Sequence, residues 1–165
     1  MAGTMRAVGL DAAASMFEQL GNEAAGIASR ALYQGAGVMA DAMSKAADNI
    51  KTEKFHYARV KNGEKRLPSP EEAEALKNHT GIAHFRGGGA EVDTVVGFQQ
   101  AGYTDIRGRR KTYRRAVGQI ANAINSGTSF MDKQPVFRQA ISKTRKTAAE
   151  TIVNTANAEI EKLTK

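Results

Sequence analysis

The chain of 165 residues has no cysteine and no tryptophan, and aromatic residues make up only 6% of it. Without thiols there is no disulfide framework, no cysteine-ligated zinc, no redox pair and no cysteine nucleophile. No apolar stretch approaches the roughly 18 residues that a membrane span needs. The run Ala7 to Leu10 is cut short by Asp11, so no signal peptide is visible either. The expectation is a soluble intracellular product that does not enter a membrane. What is present is a length that fits one domain, residues 1–165, able to bury roughly two thirds of the surface its unfolded chain exposes. With 41% hydrophobic and 25% charged residues, the composition is that of an ordinary globular protein.

Charge is the compositional anomaly. Against 17 Asp and Glu stand 24 Lys and Arg, a net charge of +7, which favours a polyanionic neighbour such as nucleic acid without specifying fold.

From Met16 onward Leu20, Ala24, Ile27, Ala31, Val38, Ala42, Ala46 and Ile50 recur at steps of three, four or seven, the stripe of a helix. Gly21-Asn22 reads as a break between a short leading helix and a long one, because both residues tolerate the left-handed backbone that ends helices. Gly35 and Gly37 either bend the long helix or leave room for another backbone to approach. From Lys51 to Pro70 the periodicity is lost, Asn62-Gly63 offers a tight turn, and Pro68-Ser69-Pro70 stops regular structure, so residues 51–70 read as an arm or long loop. Ser69 or a residue near it then caps a short acidic helix running to Leu76, whose Glu71, Glu72 and Glu74 read as a solvated, dipole-matched start.

Two strand signals come next, Gly81 to Arg86 and Glu91 to Phe98, around a Gly87-Gly88-Gly89 turn, with Val92, Thr94, Val96 and Phe98 on one face. Residues 99–112 are turn-rich and basic, a second probable arm or loop, and a short helix is predicted from about Tyr113 to Asn125. Ser126-Gly127-Thr128-Ser129 ends it. Pro135 is placed for the first turn of a final helix, with Phe137, Ile141, Ala148, Ile152, Ala156, Ile160 and Leu163 as its stripe. The fold class these elements predict is α+β: two long helices packed on a small antiparallel sheet, with arm or loop insertions.

Chemistry-bearing constellations are few. His56, His79 and His84 lack the spacing that sets two imidazoles on one helical face, so no metal site is expected. The three consecutive glycines are not closed by Gly-Lys-Ser or Gly-Lys-Thr and lie between two strands, so they read as a turn and not as a phosphate loop. No catalytic residues and no cofactor are expected. The strongest local signal is basic: Arg107, Arg109, Arg110, Lys111, Arg114 and Arg115 put six cations into nine residues, with Tyr113 as a stacking platform. Charge of that density repels itself unless phosphates or an acidic protein surface lie near, and with no base-reading motif its contact with DNA would be to the backbone. The bland reading of the same residues is a solvated loop.

A longer pattern runs through the second half. Leu76-Lys77-Asn78-His79-Thr80-Gly81-Ile82-Ala83 leads into the hairpin, Val95-Val96-Gly97-Phe98 closes it, and Gly127-Thr128-Ser129 precedes Gln134-Pro135-Val136-Phe137-Arg138-Gln139-Ala140. In that order and spacing these resemble the tail-component family of long-tailed double-stranded DNA bacteriophages, variously called neck, tail-completion or head-tail joining proteins. The resemblance covers roughly Leu32 to Leu163. It implies a virion structural protein and no enzyme. It further implies a homo-oligomeric ring around the DNA path, a hexamer with a dodecamer as the alternative, bound to adjacent neck, connector and tail-tube proteins. The place it implies is the virion neck or tail top, after assembly in the host cytoplasm. Under this resemblance Gly127, Thr128, Ser129, Pro135, Phe137 and Arg138 are structural: a reversal, a backbone cap, a helix start and a core anchor. A tail terminator ring and a free-standing nucleic-acid-binding protein without sequence specificity are the alternatives.

Overall fold

The computed structural model describes residues 10–54, 63–83, 93–98, 103–107 and 112–164. Two long helices dominate it: α1 (Leu10–Ala47) and α4 (Val136–Leu163). At 1.5 Å per residue they are about 57 Å and about 42 Å long. They run antiparallel, since Arg30 of α1 meets Glu159 near the end of α4 while Met43 shares a core with Phe137 at its start. Gly35 decides how near they come. A Cβ there would sit 2.7 Å from Ile152 Cδ1 and 3.0 Å from the Ala148 carbonyl, so this glycine makes room for α4. Gly37 has no such neighbour.

The predicted break at Gly21-Asn22 does not occur; α1 passes through both residues. A glycine inside a helix costs about 1 kcal/mol relative to alanine, and good helix formers on either side, Glu18, Gln19 and Leu20 before it and Glu23, Ala24 and Ala25 after it, carry the helix across it.

The remaining elements gather at the end where α1 finishes and α4 begins. Ser69 caps α2 (Pro70–Asn78). Strands β1 (Thr80–Ile82) and β2 (Val96–Phe98) pair antiparallel with Gly81 opposite Gly97. Strands β3 (Tyr103–Arg107) and β4 (Thr112–Ala116) form a second antiparallel pair, and β4 runs directly into α3 (Val117–Ser126). The class is α+β, as predicted. The assembly differs from the expected packing of two long helices on one sheet: the long helices pack on each other, and among the described residues two separate two-stranded ribbons stand in place of one sheet.

Leu76, Val117, Ile120, Ile124, Met131 and Phe137 close over the last turns of α1, from Met43 to Ala47, and over Ile50. Phe98 of β2 meets Phe137 edge to face, ring centroids 4.9 Å apart, and burying a side chain of this size contributes about 1.5–3 kcal/mol. The stripe predicted for the last helix is only partly inside: Phe137 and Ala148 are buried, whereas Ile141 and Ile160 are exposed.

Two further expectations are corrected, the loop at 99–112 and the helix start at Tyr113. The described parts of residues 51–70 are irregular up to the start of α2 and are tied to the body, because the Glu53 N–H donates to the Pro68 carbonyl and the Glu53 carboxylate accepts from the Leu67 N–H. Arg66 forms a parallel bridge with Met131. Within the 99–112 loop, residues 103–107 and Thr112 are strand. Tyr113 therefore belongs to β4 and the helix begins at Val117, because pairing with β3 satisfies the backbone that a first helical turn would otherwise use. Gly87, Gly88 and Gly89 lie outside the described residues.

Candidate functional site

Cross-strand register sets the basic hairpin. Arg114 stands opposite Asp105, Arg115 opposite Thr104, and Arg107 opposite Thr112. Successive strand residues point to opposite faces, and the two described arginines divide accordingly. Arg114 is exposed, while Arg115 is half-buried with its Nη1 3.6 Å from Glu72 Oε1. Arg107 has its backbone in β3. Arg109, Arg110 and Lys111 fall between the strands and outside the described residues.

Glu72 is the anchor the hairpin reaches for, and the sequence reading misplaced it in solvent. It is fully buried and bound on both oxygens: Arg66 Nη1 donates to Oε2 at 2.6 Å and Nη2 to Oε1 at 2.7 Å. The Ser69 N–H adds a third bond to Oε2 at 2.8 Å, and the Ser69 hydroxyl accepts from the Glu72 N–H at 3.2 Å. This is a capping box turned inward. Planar two-point pairing is what makes a buried guanidinium and carboxylate tolerable. The Ser-x-x-Glu spacing carried the signal; what it did not carry was that Arg66, six residues earlier, folds over the same carboxylate. Glu71, beside it on the exposed face, is held below the usual carboxylate range by its backbone hydrogen bond and then by the Ser69 hydroxyl.

The residues of the motif block converge on the connection between α3 and α4. Gly127 closes α3 with φ +76, and a Cβ there would come within 3.0 Å of Lys133 Cβ. The Thr128 hydroxyl accepts from the Met131 N–H at 3.0 Å and the Phe130 N–H at 3.3 Å, while Ser129 is an exposed bend. Pro135 is the N-cap of α4, one position before the first turn where it was expected. Phe137 is buried, and the Arg138 N–H donates to Asn125 Oδ1 with its side chain outward. Gln134, not singled out for a contact, ties this joint to the chain after α1: its amide accepts from the Lys51 N–H at 2.8 Å and donates to the Lys51 carbonyl at 3.0 Å.

Family models, curated proteins and solved structures give no match to this chain. Among the described residues no three His, Asp or Glu side chains come together as a metal site, and none of the described helices is long and apolar enough to cross a membrane. His79 closes α2, its N–H bonded to the Ala75 carbonyl. His56 and His84 lie outside the described residues. The arrangement is that of a basic ribbon braced at its base by a buried ion pair, beside a helix joint pinned by backbone hydrogen bonds. Such a device holds charge at a fixed place.

Proposed function

We propose that the chain is a structural subunit of a long-tailed bacteriophage virion, forming a ring around the DNA path at the neck or tail top and joining head to tail. The observation that carries the reading is the coincidence of the motif block with a built joint. Gly127, Thr128, Pro135 and Phe137 each occupy the position that a rigid α3 to α4 connection requires. The basic hairpin supports it from a second side. β4 brings Arg115 next to a buried carboxylate and carries Arg114 on its other face, a fixed base from which cations can meet phosphates by backbone contact. A ring subunit needs such a body and such charge, and the neighbouring neck, connector and tail-tube proteins supply its other surfaces.

The test is mass spectrometry of purified particles together with electron microscopy of particles made without this protein. The chain is expected in the virion, and its loss is expected to leave full heads beside free tails. Overlong tails would place it as a terminator ring instead. Absence from the particle, combined with tight and salt-sensitive DNA binding by the isolated chain, would overturn the proposal in favour of a free-standing nucleic-acid-binding protein.

A further inference from the structure

The seam stripe of α1 continues past the point where α4 can cover it. Arg30 lies opposite Glu159, and α4 ends at Leu163, so the turns of α1 before about Ala24 project beyond its partner, an overhang of about 21 Å from Leu10. On this overhang Leu20 is half-buried, Met16 is exposed and Phe17 is 72% exposed. These residues continue the phase of Ile27 and Ala31, which α4 does cover. Exposed apolar side chains clustered on one helical face mark an interaction surface.

Midway along the stem the opposite feature appears. An apolar groove of about 480 Å³ runs between α1 and α4 under the lead into β2, lined among others by Met39, Val95, Ile141, Arg145 and Ile152. It adjoins a second groove of about 440 Å³ that reaches Phe98 and Arg138, the two sharing Met43, Val96 and Ile141. The trough follows residues 32–43 of α1, about 17 Å of helix, which matches the overhang. Charge matches as well. Residues 10–29 carry three carboxylates, Asp11, Glu18 and Glu23, and no cation, whereas residues 136–149 of α4 carry Arg138, Lys143, Arg145 and Lys146 and no carboxylate.

We infer that the α1 overhang of one copy docks in the α1/α4 groove of a second copy, with Phe17 seated near Ile141 and Glu18 and Glu23 facing Arg138 and Arg145. The overhang and the groove are different surfaces of one chain, so each copy both gives and receives. That contact is head-to-tail, and it closes into a ring or runs on as a fibre according to its angle. The inference supplies the subunit contact of the proposed ring and makes no use of DNA. A chain that assembles by this contact and is missing from virions refutes the phage reading alone. A virion protein whose overhang variants still assemble refutes the contact alone.

The native chain has no cysteine, which makes disulfide trapping unambiguous. Phe17→Cys and Ile141→Cys, each in the full chain, are mixed and mildly oxidised. A covalent dimer linking the peptides of positions 17 and 141 is expected from the mixture, and a ladder of dimers, trimers and higher species from the double variant. In sedimentation, Phe17→Asp is expected to weaken assembly about tenfold or more. Glu18→Arg and Arg145→Glu each weaken it, and together they recover part of the loss. Position 17 is exposed, and circular dichroism verifies that the helices persist. No linkage between 17 and 141, or a wild-type chain that stays monomeric at its highest soluble concentration, overturns the inference.

Discussion

The two ends of the molecule are held by different means. Where α1 ends, large side chains from five segments converge: Met43 and Ile50, Leu76, Val117 with Ile120 and Ile124, Met131, and Phe137. Beside that core the Arg66 and Glu72 pair is sealed from water. Along the stem, α1 meets α4 through Ala31, Gly35 and Ala148, and Val153 and Ile160 face solvent. Small residues permit close approach but bury little area each. The sheet end is thus held by large buried side chains and a sealed ion pair, whereas the stem depends on backbone proximity and leaves an apolar trough beside residues 32–43 of α1.

The sharpest way to break this contrast is Glu72→Ala. It strands the buried Arg66 guanidinium, and removing one partner of such a pair costs about 3–5 kcal/mol. Urea unfolding is expected to show that loss, and exchanging both residues for apolar ones of similar size is expected to return most of it. A loss no larger than that of a surface substitution would show the pair to be irrelevant to stability. Gly35→Val comes next. Its side chain meets Ile152 and the Ala148 carbonyl, an overpacking that costs about 1–3 kcal/mol. Hydrogen exchange should quicken in α4 around residues 148–152 while α2 and α3 stay protected, and Ile152→Ala in the same chain should relieve part of the effect. Equal quickening at both ends would erase the distinction between them.

Acid provides the smallest effect. Glu71 lies below the usual carboxylate range through its backbone bond and Ser69. Glu159 does so through Lys162 first and Arg30 beside it, against an opposing pull from burial. A carboxyl whose folded value is depressed adds stability above its unfolded value, about 4.3, and loses it as pH falls through the folded value. Stability should therefore be flat near neutrality and decline below about pH 4.3, with a shallower decline in Glu159→Gln. A stability that rises on acidification would contradict the assignment.

Much of this architecture was legible in the sequence. The stripes of α1 and α4, the Ser69 cap, the Gly127 stop and the buried Phe137 arise from spacing and turn chemistry alone. The failures share a cause, which is that tertiary partners override local signals. Gly21-Asn22 ends a helix only if the next residues turn away, and here alanines continue the helical ladder. Ala24 belongs to the stripe yet is exposed, because α4 has already ended beside it. The segment from Gly63 to Ser69 looks like solvated charge, and in sequence a buried Arg–Glu pair is indistinguishable from an exposed one. The β3–β4 ribbon was hidden by its own arginines, whose number suggested a loop where Tyr103, Ile106 and Tyr113 carried strand propensity.

That α1 crosses Gly21 without interruption has a geometric corollary. An unbroken rod fixes the azimuth of Phe17 relative to Gly35, so a second copy seated on the projecting turns as inferred above would approach from the side on which α4 packs, end to end with its terminus. There the last carbonyls of α4 lack intrahelical partners and the accumulated peptide dipoles leave a partial negative pole, a favourable abutment for a cation-rich neighbour. Inserting a single residue after Gly21 would swing that approach by about 100°, so the pitch of this rod acts as the protractor of any assembly built upon it.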